Sequence, residues 1–173
     1  MSNVFISIGI DPGSQGAWVA VTKDEESKRY IVLGTGSVTN STIDIIAMAD
    51  SLLVILEETS IDCEVFVEIP KTTGIYKSKH ASYQQGFGHG AIITALSHIE
   101  AKSTAIDPND WQIQTGVKAI AGKKSKAAVD IILNDLLHER SAEYKGKKAV
   151  TNDGKRDAAL LAIHGYRLRN GIL

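Results

Sequence analysis

The sequence contains few of the features that build disulfide-bonded, zinc-binding or membrane-spanning proteins. Its single cysteine, Cys63, allows neither a disulfide nor a thiolate zinc site within one chain. No apolar run approaches the ~20 residues of a membrane span, and the N-terminus lacks the charged and long apolar regions of a signal peptide. We therefore expect a soluble, cytoplasmic protein with no membrane partner.

Size and charge set further limits. The 173 residues, 43% of them hydrophobic, suffice for one core and are too few for two ordinary ones, so we expect a single domain over residues 1–173. Residues 1–70 carry three basic and eleven acidic side chains, a net charge of −8, whereas residues 71–173 have a net charge of +7. A basic C-terminal part is typical of polyanion binders, although lysines on an ordinary solvated surface give the same pattern.

Hydrophobic periodicity predicts an α/β fold. Strands are expected at 4–10, 17–21, 30–33, 64–70 and 103–107, and helices at 40–58, 83–99, 108–116, 124–139 and 153–170. Turn residues join the first two strands into an antiparallel hairpin, whereas the last two strands need helical crossovers. The expected architecture is a five-stranded mixed sheet with helices on both faces.

Two acidic residues end strands that are otherwise apolar. Asp11 closes the first strand in "ISIGIDPGSQGAWVAV", and Glu68 closes the fourth in "VFVEIP". Such carboxylates are costly to desolvate unless a cation meets them. If the two strands are parallel neighbours, both side chains emerge at the same edge of the sheet.

A third acidic feature is the stretch "TNDGKRDAALLAIHGYR". Its Asp153 and Asp157 are four residues apart and share one helix face. Carboxylates from two strand ends and a helix start form an oxygen-rich site, which suits Mg²⁺ or Mn²⁺ better than zinc. Two such ions can clamp the attacking and leaving oxygens of a phosphodiester, and Gly13 and Gly16 would let a nucleic-acid backbone approach.

Each acid also has an ordinary interpretation. Asp-Pro-Gly is a common turn, and Glu68 fits a strand end at the surface. Asp153 suits a helix N-cap, and Asp157 is a first-turn acid that the helix dipole favours. The metal-site hypothesis depends on their joint appearance, in this order and on these elements.

Four stretches together carry a family resemblance. They are "IGIDPGSQGAW", "VFVEIP", "KAIAGKKSKAAV" and "DGKRDAALLAIHGYR", and in order and spacing they resemble the RuvC-type Holliday-junction resolvases, most closely the phage variants. The resemblance implies a ribonuclease H-like fold and a homodimer acting on branched DNA. It also implies paired nicks across four-way junctions that leave 5′-phosphates, with two Mg²⁺ per site, Mn²⁺ as a substitute and no nucleotide cofactor.

Carried over by position, the resemblance assigns the metal ligands. Asp11, Glu68 and Asp157 resemble the catalytic acids of the first strand, the fourth strand and the last helix. The bacterial enzymes usually have a further acid three residues before the final one, where this chain has Gly154. Asp153, four residues before, is the substitute, which leaves open whether Asp153 or Asp157 dominates.

The resemblance also assigns DNA contacts. Lys118 and Lys124 resemble phosphate-contacting lysines, Lys126 lies beside them, and Lys124 or Lys126 would stabilise charge on the scissile phosphate. A helix start after "GKKSK" favours phosphate on physical grounds, although an exposed helix cap looks the same. Tyr76 matches an aromatic that stacks on an unpaired base, with Tyr83 as an alternative. The predicted set is completed by Lys71, Lys77, Lys79 and Lys123.

Three other functions fit parts of the sequence. A nuclease of broader substrate specificity, which cuts flaps and forks, would have the same fold. "IGIDPGSQG" also resembles the first phosphate loop of actin-like ATPases and sugar kinases. Those proteins bind a nucleotide between two such domains, whereas this chain is long enough for only one. The third is a DNA-binding module that has lost its chemistry.

Other residues are assigned structural roles. Gly86, Gly88 and Gly90 are expected to permit close helix approach. Trp18 and Trp111 are expected in the core. The five histidines show no metal-ligand spacing and receive no role.

Overall fold

A computed structural model describes residues 4–58, 61–70, 78–118, 126–137 and 153–173. The strands are β1 (Phe5–Asp11), β2 (Ala17–Lys23), β3 (Tyr30–Ser37), β4 (Asp62–Glu68) and β5 (Ser103–Ile106). The helices within the described residues are α1 (Thr42–Glu58), α2 (Lys79–His98), α3 (Pro108–Gln114), α4 (Lys126–Leu136) and α5 (Asp153–Arg169). Across these ranges, no helix has an apolar stretch long enough to cross a lipid bilayer.

The five strands form one mixed sheet in the order β3-β2-β1-β4-β5. β2 pairs antiparallel with β1 and with β3, whereas β4 pairs parallel with β1 and with β5. The predicted hairpin is confirmed, and the condition that the first and fourth strands are parallel neighbours is met. Ile10 of β1 lies opposite Val67 of β4, so the next residues, Asp11 and Glu68, leave the sheet at the same edge.

Helices cover both faces of the sheet, as predicted. On one face α1 and α2 pack through Leu52 and Ile92 against the strands. On the other face α3, α4 and α5 contribute Trp111, Leu133 and Leu160 to a second core cluster. Both faces of β1 and β4 are therefore buried, which explains why their sequences read as continuous apolar runs.

Helix α5 lies directly on β1 without intervening side chains. Ser7 Oγ donates to the carbonyl oxygen of Ala162 at 2.7 Å. A Cβ at Gly9 would overlap the Ala158 carbonyl oxygen and stand 2.5 Å from the Ala162 nitrogen. From Ser7 to Gly9 the contacts move back along α5, so the helix runs antiparallel to β1. Its first turn therefore lies at the edge of the sheet where β1 ends.

Most element boundaries differ by a few residues from the sequence expectation, and two of the differences have a clear physical cause. β3 continues to Ser37 instead of ending at residue 33, because Gly34 and Gly36 make room for the Trp18 ring. A Cβ at Gly36 would stand 3.0 Å from Trp18 Cε2, so these glycines accommodate an indole and do not end the strand. Asp107 lies outside β5 and caps α3, where its side chain accepts from Asn109 N at 2.7 Å.

At the opposite edge of the sheet, Glu64 is buried among cationic partners. Its carboxylate is 2.8 Å from Lys102 Nζ and 3.7 Å from Arg169 Nε, and it accepts from Thr104 Oγ1 at 2.7 Å. Burial alone would raise the pKa of Glu64, but these hydrogen bonds and charges outweigh it and lower the pKa. The charged carboxylate therefore stabilises the fold.

Glu64→Gln is expected to lower the free energy of unfolding by about 1–2 kcal/mol at pH 7, since a charge-assisted hydrogen bond is lost. A lowered folded-state pKa means that this stabilisation is present above the ordinary pKa of 4.5 and is lost as the pH falls below it. The difference between wild type and variant should therefore shrink in urea titrations at acid pH. Glu57→Gln, an exposed acid on α1, is the control; a pH-independent Glu64 effect would contradict the assignment.

Candidate active site

Asp11 and Glu68 end adjacent parallel strands, and both side chains are half-buried. Side chains two residues apart on a strand point to the same face. Gly9 meets α5, and Phe66 meets Gly165 of α5, so Asp11 and Glu68 are on the face that α5 covers. The structure thus brings the two strand-end acids to one edge and one face of the sheet.

Asp157 is the fifth residue of α5, at the start of its second turn rather than in the first turn as predicted, and is only 8% exposed. It precedes Ala158, whose backbone contacts Gly9 of β1. It also lies seven residues before His164, on the same side of the helix. Helix α5 contacts both α3 and β4. Asp153 is the first residue of α5; its side chain lies outside the described part.

Trp111 contacts the site directly, which the sequence interpretation missed. Its side chain is fully buried, as expected of a core residue, and its Nε1 donates to Glu68 Oε2 at 2.6 Å. A buried indole N–H usually requires an acceptor. That requirement was the available signal, but it does not identify an acceptor 43 residues away in sequence.

His89 of α2 belongs to the helix layer on the other face of the sheet, and its Nδ1 is buried with no partner among the described residues. Burial lowers the pKa of His89, and its interaction with the Glu68 backbone only partly offsets this. The imidazole is therefore neutral near pH 7. His164 behaves similarly, since burial lowers its pKa against the opposing charge of Asp110.

The turn after Asp11 is tightly built. Gly16 N donates to Gly13 O at 3.1 Å, and a Cβ at Gly16 would stand 2.6 Å from the Asp11 carbonyl oxygen. Gly16 is therefore required by the turn itself. A Cβ at Gly13 would meet no described atom within 4 Å, so the prediction that a nucleic-acid backbone approaches here concerns Gly13.

The predicted DNA-contacting residues fall in several places. Lys79 is exposed at the first residue of α2, and Lys118 is half-buried with its Nζ donating to Asn109 Oδ1 at 2.7 Å. Lys126 is the first residue of α4, and its side chain lies outside the described part. Outside the described residues altogether are Lys71, Tyr76, Lys77, Lys123 and Lys124. The DNA-contact assignments remain predictions.

Among the side chains that the structure describes, no three histidine, cysteine, aspartate or glutamate residues form a group that could hold a metal ion as they stand. The Asp153 side chain lies outside that set. The acids that converge on this edge of the sheet offer oxygen donors only, the chemistry that Mg²⁺ and Mn²⁺ prefer. The ligand set remains a prediction.

The glycines of α2 differ in their surroundings. A Cβ at Gly88 would overlap Asn40 of the loop before α1, whereas Gly86 and Gly90 face open space. The close neighbour of Gly88 is thus a loop side chain, and no described helix closely approaches any of the three glycines. On the outer face of the same helix, Tyr83 and Phe87 are exposed and stack at 6.3 Å between ring centroids.

Comparison with known proteins adds structural relatives only. No protein-family model and no curated protein matches the sequence. Thermus thermophilus RuvC, alone and in complex with a Holliday junction substrate, matches with TM-scores of 0.65 and 0.66 at 20% and 21% identity, covering 96% of both chains. The yeast mitochondrial Holliday junction resolvase matches with a TM-score of 0.59 at 13% identity, covering 96% of this chain and 83% of the yeast chain.

These matches extend over nearly the whole chain and agree with the observed strand order and helix layers. The resemblance inferred from the motifs is confirmed for the fold, while particular closeness to the phage variants stays a prediction. The chain has the ribonuclease H-like α/β fold of the RuvC-type resolvases.

Proposed function

We propose that this protein is a Mg²⁺-dependent endonuclease that resolves four-way DNA junctions. The observation that carries the proposal is that Asp11 and Glu68 end adjacent parallel strands on the face covered by α5, the helix in which Asp157 is buried. The shared fold supports it, because resolvases of this fold include one solved with its Holliday junction substrate. Fold alone does not assign function, so the site's chemistry has to agree.

The acids fit a divalent cation in their chemistry. Asp157 is almost fully buried on α5, the helix that covers the face on which Asp11 and Glu68 end their strands, and carboxylates gathered in a desolvated site favour a compensating cation. Asp11, Glu68 and Asp157 would hold the ions, with Asp153 as the fourth ligand. Bound there, two Mg²⁺ would supply Lewis-acid stabilisation of the attacking and leaving oxygens, giving a 5′-phosphate product.

The chain's own residues would bind and orient the DNA. Lys118 and Lys79 lie in the basic part of the chain, and lysine contacts to phosphates supply most non-specific affinity. Lys124 and Lys126 are proposed to lie against the scissile phosphate and stabilise its developing charge. Tyr76 is proposed to stack on an unpaired base at the junction, with Lys71, Lys77 and Lys123 on neighbouring phosphates.

A homodimer is part of the proposal, because two symmetric incisions in one junction require two sites. The exposed Tyr83 and Phe87 on α2 are apolar surface that a twofold contact could cover. Sedimentation analysis of the purified protein measures the particle mass directly.

The test is cleavage of a substrate panel in Mg²⁺. We expect the protein to cut synthetic four-way junctions in preference to flaps, forks and linear duplex, and to linearise a cruciform-bearing plasmid through paired nicks. EDTA should stop the reaction. Equal cutting of all branched substrates would replace junction resolution with a broader branched-DNA nuclease. No cutting of any substrate, with Mg²⁺ or Mn²⁺, would overturn the proposal.

A further inference from the structure

Glu68 is held both through its backbone and through its side chain. Its strand stays paired with β5 as far as Ile69, whose N donates to Ile106 O at 3.0 Å, and Trp111 of α3 donates to the Glu68 carboxylate at 2.6 Å. Glu68 pairs with Ile106 at the end of β5, and α3 begins two residues later at Pro108. The short connection capped by Asp107 thus delivers the indole to the end of the neighbouring strand.

We propose that Trp111 is a positioning residue that fixes the Glu68 carboxylate for metal binding, an inference that rests on the proposed function. With the backbone already anchored, the remaining freedom of Glu68 is rotation of its side chain. A carboxylate has about four lone-pair sites on two oxygens, so it can accept one hydrogen bond and still bind a cation. Hydrogen bonds of this kind orient metal ligands and set their affinity.

The indole suits this role for two reasons. It is a donor only, so it cannot compete with the carboxylate for the cation. It is also fully buried within the core cluster under α5, so its position is set by packing and is shielded from water. A short bond from a neutral donor to a charged acceptor is among the stronger hydrogen bonds in proteins.

The chain contains its own control for this contact. It has two tryptophans, and the second, Trp18, belongs to the core cluster on the opposite face of the sheet. In a ¹⁵N-labelled protein each indole N–H gives one cross-peak, which Trp111→Phe and Trp18→Phe assign. We expect Mg²⁺ to shift the Trp111 peak saturably and to leave the Trp18 peak unmoved. Glu68→Gln should move the Trp111 peak in the absence of any metal.

Kinetics give a second measurement. Trp111→Phe keeps an aromatic ring in the core and removes the donor. We expect a fall in kcat and a rise in the Mg²⁺ concentration for half-maximal rate, each roughly 10–100-fold, as for other residues that orient metal ligands. The KM for the junction should not change, because DNA binding does not involve the indole. Trp18→Phe is the matched variant and should leave all three values unchanged.

The outcomes separate this inference from the proposed function. If wild type cuts junctions while Mg²⁺ leaves the Trp111 peak unmoved, the positioning role is wrong. It is equally wrong if Trp111→Phe is folded and has wild-type kcat and Mg²⁺ dependence. If wild type neither cuts any branched DNA nor binds Mg²⁺ by calorimetry, the proposed function fails first. If Trp111→Phe does not fold, the positioning role is tested by the Trp111 peak in the spectra of wild type with Mg²⁺ and of Glu68→Gln.

Discussion

Replacing Asp11 with asparagine is expected to abolish Mg²⁺-dependent junction cleavage while leaving junction binding intact. Asp11 ends the central strand β1 beside the end of β4, where a carboxylate would serve both proposed ions. Asparagine keeps the shape and removes the charge. The loss of several kcal/mol of transition-state stabilisation corresponds to a rate decrease on the order of 10³-fold or more.

Single-turnover cleavage and electrophoretic mobility shift on the same junction measure the two effects separately. Asp50→Asn, an exposed acid on α1, is the matched control and should cut at the wild-type rate. An Asp11→Asn variant that cuts normally would show that Asp11 is an ordinary turn residue. Identical loss in both variants would favour a module without its own chemistry.

Gly9→Ala is expected to lower the stability of the fold strongly, although it adds only one methyl group. The added Cβ would overlap the Ala158 carbonyl oxygen and stand 2.5 Å from the Ala162 nitrogen. Both are backbone atoms of α5 and cannot rotate away, so the helix must shift. Overpacking of this kind should cost roughly 3 kcal/mol or more. Because Asp157 is in the same helix, cleavage should fall as well.

Thermal and urea unfolding measure the stability change, which corresponds to a Tm decrease of roughly 6–12 °C for a chain of this size. Gly86→Ala on α2 is the matched glycine substitution, since a Cβ there meets no atom within 4 Å. Alanine is the better helix former, so this variant should not lose stability. A Gly9→Ala protein as stable as wild type would contradict the observed packing of α5 on β1.

The pairing sense of the strands was predictable because it follows from connection lengths. Short turns join β1, β2 and β3 as hairpins, whereas β4 and β5 follow helices and can pair parallel. The position of β4 beside β1 was a condition of the metal-site hypothesis and not a consequence of these lengths. The length of β3 was not predictable, because the glycines that lengthen it respond to Trp18 on the adjacent strand. A local pattern carries no information on what fills the space opposite a glycine.

The candidate site was also predictable only in part. Asp11 and Glu68 were identifiable because an acid that closes an apolar strand is unusual in its own segment. The hydrogen bond from Trp111 to Glu68 was not, since it depends on β5 lying next to β4 and on Asp107 starting α3 there. The contact joins residues whose proximity exists only after the sheet has formed.

The close packing of α5 on β1 and β4 has a consequence for recognising distant relatives. Gly9, two residues before Asp11, and Gly165, eight residues after Asp157, are each pressed against atoms that leave no room for a Cβ. A distant homologue can differ at nearly every surface position, but it needs a residue without a Cβ at these two positions to keep α5 packed in the same place. A glycine two residues before the strand-end aspartate, together with a glycine eight residues after the helix aspartate, is therefore a short pattern with which relatives of low overall similarity can be sought.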